Sequence, residues 1–192
     1  IVIYDSRGLY RAARVWWTFR VMGVEDVSVL NGGLPKWKRE GKPLESGPPR
    51  SRTTRHFTAR RNLDLVRDIS DIKALLKDYS AELVDARSAE RFAGKAPEPR
   101  PGLRSGHIPG SHNVPFGELL NKDGTFKSDH IVVADGVTIG KPVVASCGSG
   151  ITASVLALGL AEIGHRKTAV YDGSWSEWGA DQNLPIETGQ GA

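Results

Sequence analysis

Pro142-Val143-Val144-Ala145-Ser146-Cys147-Gly148-Ser149-Gly150-Ile151-Thr152 runs from an apolar strand into a turn broken by two glycines. The apolar stretch from Thr152 to Ile163, stopped by Gly164, reads as the helix that follows. Val170-Tyr171, the turn Asp172-Gly173-Ser174 and a short helix carrying Trp178 come next. Strands alternating with helices imply parallel pairing in an α/β fold.

The same pattern occurs earlier in the chain without a gap. Ile3-Tyr4-Asp5-Ser6, Val15-Trp16-Trp17, Met22-Gly23, Val29-Leu30-Asn31-Gly32-Gly33 and Trp37 repeat as Val144-Ala145-Ser146-Cys147, Leu156-Ala157-Leu158, Ile163-Gly164, Val170-Tyr171-Asp172-Gly173-Ser174 and Trp178. The offset is 141 residues throughout (164 less 23, 178 less 37). The second copy begins near Asp68, where Asp68 or Ser70 caps a helix to about Tyr79 with Ile69, Ile72, Leu75 and Leu76 on its apolar face. The matching start of the first copy falls roughly 70 residues ahead of Ile1. The sequence therefore reads as a tandem repeat with its first copy truncated. Residues 1–45 are the end of the first copy, 46–66 a linker rich in Pro, Gly and Arg, and 67–192 the second copy. The linker arginines, Arg50, Arg52, Arg55, Arg60 and Arg61, read as solvated charge, and His56-Phe57-Thr58 as a short strand.

Within the second copy, Glu82-Leu83-Val84-Asp85 is a buried strand and Ser88 to Phe92 a helical turn ended by Gly94. A Pro-rich loop from Lys95 to Gly102, a turn at His107-Ile108-Pro109-Gly110 and a strand at His112-Asn113-Val114 follow. Pro115 suits the first turn of a helix through Leu120.

Bulk properties exclude several function classes. Of 192 residues, 39% are hydrophobic and 25% charged, as in ordinary globular proteins. No apolar run reaches the roughly 20 residues of a membrane helix. Twenty-six basic against 22 acidic residues leave a net charge of +4, which suits anionic small substrates. No basic helix or aromatic-studded basic sheet supports nucleic-acid binding. One cysteine allows neither an internal disulfide nor a zinc site of several thiolates, and it fits a reducing compartment.

That cysteine, Cys147, stands directly after a buried strand and before a helix, where open parallel sheets bind their ligands. Gly148 and Gly150 let the backbone turn so that successive N–H groups face inward. An anion is favoured at such a nest, so a thiolate or a persulfide is stabilised there. A nucleotide-binding loop is the weaker reading, because no Gly-Lys-Ser/Thr follows. A cysteine phosphatase would need an arginine inside the loop to clamp phosphate, and Gly148 to Ser154 contain none.

These segments resemble the rhodanese superfamily, and within it the two-domain 3-mercaptopyruvate sulfurtransferases. The resemblance rests on Cys147-Gly148-Ser149-Gly150-Ile151-Thr152-Ala153, Tyr171 to Trp178, Asp85-Ala86-Arg87, Gly106 to Gly110 and Val15 to Arg20. It implies a parallel sheet flanked by helices, with only the second of two rhodanese-like copies catalytic, Ser6 standing where Cys147 stands in that copy. It implies sulfur transfer from 3-mercaptopyruvate through a Cys147 persulfide to a thiol, thioredoxin or cyanide, with no metal or organic cofactor. Arg91 and Arg100 match the family's substrate-binding arginines. Cys147 and Ser149 form the catalytic pair, and Gly148, Gly150, Ile151 and Thr152 complete the substrate loop. Gly148 and Ser149 replace the basic residues typical of thiosulfate-preferring members. A thiosulfate sulfurtransferase and a non-catalytic rhodanese module remain the alternatives. Family members also place an acidic residue and a histidine from the first domain at the site, at positions ahead of Ile1. Asp85 with Arg87 reads as a structural ion pair, and His107 as a turn-stabilising histidine. Trp178 through Glu187 resembles bacterial members, which implies a cytoplasmic protein.

Overall fold

The computed structural model describes residues 1–48, 51, 53, 54, 56–127, 137 and 140–191. The expected linker residues Pro49, Arg50, Arg52 and Arg55 lie outside the described residues.

A five-stranded sheet, all parallel, is ordered β3-β7-β6-β4-β5. Its strands are β3 (Val66–Arg67), β4 (Glu82–Asp85), β5 (His112–Asn113), β6 (Val143–Ser146) and β7 (Thr168–Tyr171). Alternation along each strand sends neighbouring side chains to opposite faces. Val84, Val143, Ala145 and Val170 pack on one face against α5 (Ala153–Glu162), and α1 (Ala12–Val21) joins the same core. Leu83, Val144 and Tyr171 pack on the other against α3 (Ile69–Asp78) and α6 (Ser174–Trp178). The result is a three-layer α/β/α arrangement. Helix α5 has eight buried residues and lies between the sheet and α1, so a continuously apolar sequence is what that position requires.

Helix α3 starts where its cap dictates. The Asp68 carboxylate accepts from the N–H groups of Ser70 and Asp71, and the Asp71 carboxylate accepts from Asp68 N–H, closing a capping box. The short α4 (Ala89–Phe92) follows β4.

The first 40 residues contribute a second, two-stranded sheet: β1 (Val2–Ile3) pairs in parallel with β2 (Ser28–Val29), with α1 between them in sequence and α2 (Gly33–Arg39) after. Adding 141 to the bounds of α1 gives those of α5. The same offset carries Gly33, the start of α2, onto Ser174, the start of α6.

Three local expectations need correcting. Residues 56–58 form no strand: His56 Nε2 and the Thr58 hydroxyl, 2.8 Å apart, satisfy each other locally instead of joining a sheet. The segment from Phe116 to Leu119 is a 3-10 turn rather than an α-helix, with Pro115 as its cap. Gly117 and the return of Leu120 to an extended conformation cut it short. The expected linker 46–66 is ordered at its end, because Leu63–Leu65 form a 3-10 turn and Val66 enters the sheet beside Val170.

Candidate active site

Strands β4 and β6 run in register, Asp85 opposite Ser146, so the chain leaves both at the same end of the sheet. The N–H of Ala86 donates to Ser146 O at 2.9 Å, which prolongs the pairing past the last strand residues. Cys147 and the Ala86-Arg87 segment are thereby delivered side by side at the C-terminal end of the sheet. A cavity of about 310 Å³ opens there, lined by Cys147, Gly148, Ser149, Ile151 and Thr152 on one side and Arg87, Ser88, Arg91, Glu98 and Arg100 on another. Tyr10 and Phe116, 5.5 Å apart between ring centroids, complete the wall. A larger cavity of about 690 Å³ opens at the opposite ends of β6 and β7 but contains no nucleophilic cysteine, so size does not locate the chemistry here.

Cys147 is 2% exposed. Its sulfur accepts a hydrogen bond from Ser149 N–H at 3.4 Å. That is the sole donor to Sγ among the described residues, fewer than the sequence suggests. Gly150 adopts φ +77°, and a β-carbon there would meet Arg14 Nη1 at 2.7 Å and the Asp172 carbonyl at 3.0 Å. Glycine at position 150 is thus required twice, by backbone angle and by crowding. Thr152 is the residue preceding α5, so the loop ends on a helix N-terminus.

The arginines form an ordered array. Arg87 is fully buried and pairs with Asp85 at 2.7 Å and with Glu98 at 2.9 Å. Its guanidinium also donates to Gly106 O at 2.8 Å and lies 4.4 Å from the Trp175 ring centroid. Burial alone would weaken its basicity, but the Asp85 and Glu98 carboxylates reverse that and hold it above the ordinary arginine value. The expectation of a structural Asp85–Arg87 pair agrees with this geometry. Arg91 joins the array through the same carboxylate: its Nη2 lies 2.5 Å from Glu98 Oε2 and its Nε donates to Oε1 at 3.1 Å. A β-carbon at position 148 would stand 3.0 Å from Arg91 Nη2, so the Cys147 loop and Arg91 are in close approach. Arg100 donates to the Ser176 hydroxyl, which in turn donates to Gly148 O. Two carboxylates face three guanidiniums, so one positive charge is left over beside the thiol.

All of Cys147, Gly148, Ser149, Ile151, Thr152, Arg91 and Arg100 therefore meet at one cavity, and Gly150 shapes the loop without lining it. Sequence reading passed over Glu98, Ser174 and Ser176. Glu98 sits between Pro97 and Pro99 in a loop read only for its arginine, and the two serines look like ordinary turn residues. His107 behaves as a structural histidine. It is fully buried, stacked on Phe92, and its Nδ1 lies 2.8 Å from Phe92 O.

A model of the rhodanese-like domain matches residues 68–181. The 3-mercaptopyruvate sulfurtransferase of Escherichia coli (strain K12) is 43% identical over 97% of this chain and 67% of its own length. A thiosulfate/3-mercaptopyruvate sulfurtransferase of Arabidopsis thaliana, named as mitochondrial, is 38% identical over 98% of this chain and 56% of its own. The chain thus spans two thirds or less of the length of these relatives. Among solved structures, SseA of Escherichia coli, described as having the rhodanese fold of 3-mercaptopyruvate sulfotransferases, superposes with a TM-score of 0.77 at 40% identity. That match covers 92% of this chain and 66% of SseA. Fold, cysteine loop and sequence agree: this chain belongs to the rhodanese family, among the 3-mercaptopyruvate sulfurtransferases.

Proposed function

We propose that the chain carries sulfur from 3-mercaptopyruvate to a thiol or cyanide acceptor on Cys147. The observation that supports this most is the surplus guanidinium charge beside a buried cysteine: Arg91 and Arg100 share one cavity with Cys147. Arginine is the natural fork for the substrate carboxylate. Arg100, held in this structure by a hydroxyl rather than a carboxylate, gives up least when a substrate anion takes its place.

In the first step the Cys147 thiolate attacks the substrate sulfur. The S–S bond forms as the C–S bond breaks, and its electron pair leaves on pyruvate as the enolate. The proton of the substrate thiol passes to the enolate carbon, and Cys147 is left as a persulfide anion. Arg91, Arg100 and the loop N–H groups stabilise the enolate charge as it develops. In the second step an acceptor thiol or cyanide attacks the outer sulfur, giving a persulfide or thiocyanate and restoring the thiolate. Ser149, which lines the cavity, passes the proton. Thioredoxin is a suitable protein thiol. None of this requires a metal or an organic cofactor, and the cytoplasm keeps the nucleophile reduced.

The donor is 3-mercaptopyruvate rather than thiosulfate because Gly148 and Ser149 place no positive side chain next to the sulfur for a sulfonate dianion. The two copies, residues 1–45 and 67–192 joined by the linker 46–66, work as one unit in which only the second carries sulfur. The test is Cys147→Ser. Cyanide treatment of donor-loaded protein releases thiocyanate from the parent and none from the variant. Equal thiocyanate from both overturns the assignment, and a faster reaction with thiosulfate than with mercaptopyruvate overturns the donor.

A further inference from the structure

Ser174 has φ +51°, the left-handed region that side chains rarely adopt. The other non-glycine residue there among the described residues, Tyr79, merely ends α3 on an exposed surface. Ser174 is instead completely buried, at the start of α6. Its repeat equivalent, Gly33, has φ +56° and no room for a side chain, since a β-carbon there would come within 2.5 Å of Gly8 O. The second copy therefore puts a serine where the turn itself asks for glycine, and strain of this kind persists only where its surroundings enforce it.

The hydroxyl explains the exchange. Ser174 Oγ accepts from Cys147 N–H at 3.2 Å and donates to Tyr171 O at 2.8 Å. The next two residues take the following carbonyls: Trp175 N–H donates to Cys147 O and Ser176 N–H to Gly148 O, each at 2.9 Å. Both polar backbone groups of Cys147 are thus held from α6, its N–H by the Ser174 side chain and its carbonyl by the Trp175 backbone. Ser174 does not line the cavity, so it acts through Cys147 and not on substrate.

We infer that Ser174 is a positioning residue for the Cys147 nucleophile. It is kept in a strained backbone because its hydroxyl fixes the peptide that carries the reacting sulfur. The inference rests on the sulfur-transfer reading only for the reaction it serves, because the position of the thiol is measurable without a sulfur donor.

Ser174→Gly removes both hydroxyl and strain, whereas Ser174→Ala removes the hydroxyl and keeps the strain. A structural residue would make the two variants differ in rate as they differ in melting temperature. A positioning residue makes them lose the same factor in kcat, on the order of tenfold, with KM within about twofold of the parent, while the glycine variant melts higher than the alanine variant. Alkylation of Cys147 by iodoacetamide, which needs no donor, slows by a similar factor in both. A Ser174→Gly protein with parental kcat and parental alkylation rate overturns the inference, as does a loss confined to KM. If the alanine variant does not fold, the glycine variant alone decides on the same two rates. A parent that forms no persulfide sinks the sulfur-transfer reading, and the alkylation rates still decide the role of Ser174.

Discussion

The loop between β1 and α1 and the loop between β6 and α5 are the same turn built twice, and their difference lies in what fills it. In the first, the Asp5 carboxylate accepts hydrogen bonds from the N–H groups of Arg7, Arg11 and Ala12 at 2.6, 2.7 and 2.8 Å. The positive end of α1 is occupied by the protein's own anion. In the second, the residue equivalent to Asp5 is Ser146, whose buried hydroxyl has no partner among the described residues. The N–H groups of Thr152 and Ala153, equivalent to those of Arg11 and Ala12, meet no protein acceptor among the described residues. One loop is closed electrostatically from within, and the other leaves its helix terminus for an anion that arrives with the chemistry. Ser6 in place of Cys147 is therefore only half of what separates the copies.

Transplanting the closed loop into the open one breaks the comparison most severely. Ser146→Asp places a carboxylate where it can take the N–H groups of Thr152 and Ala153, beside the sulfur that must carry negative charge. Sulfur transfer falls by a factor on the order of 10² to 10³, the cost of losing preorganised N–H donors with added repulsion. Thiocyanate released per mole of donor-treated protein measures it. A Ser146→Asp variant that loads sulfur at the parental rate would show that the N–H groups contribute nothing. The reverse change acts on stability. Asp5→Ala leaves three donors without their carboxylate and lowers unfolding free energy by about 1–2 kcal/mol, a large value for a helix cap. Urea denaturation reads it, and no change would mean that water replaces Asp5 without cost.

Much of this comparison was legible in the residues. The 141-residue offset, which needs only apolar spacing and glycines to be seen, places α1 and α5 and the starts of α2 and α6. Cys147, Arg91 and Arg100 stood out because their residue types are chemically distinctive. The contacts that bind them did not. Glu98 bridges Arg87 and Arg91 because a loop of three prolines brings it back to the segment that follows β4, which no periodicity reports. Ser174 is recognisable only from a backbone angle. The strand expected at residues 56–58 failed because two residues with β propensity, Phe57 and Thr58, are not a strand without a neighbour to pair with. The edge strand β3 escaped because it is two residues long and looks like the end of a linker.

The smallest expected effect concerns an ion pair between the copies. Arg14 on α1 lies 2.6 Å from the Asp172 carboxylate, donates to Gly150 O at 3.3 Å and stacks 4.4 Å from the Trp17 ring centroid. Gly150 O also accepts from the Ser154 hydroxyl at 2.9 Å. With that carbonyl held from two sides, the N–H of Ile151, on the same trans peptide, points the opposite way and is kept from turning back toward Arg14. Half the Asp172 side chain is exposed, so the ion pair itself contributes at most about 1 kcal/mol and is weakened by salt. Arg14→Ala is accordingly expected to cost a few-fold in sulfur transfer, with the deficit shrinking between low and high salt as the parent loses the same attraction. Arg14→Lys, which keeps the charge but not the fork, recovers the stability and only part of the rate. A deficit that is independent of salt and fully repaired by lysine would mean that charge alone matters at this contact, and that the carbonyl of Gly150 is held well enough by Ser154.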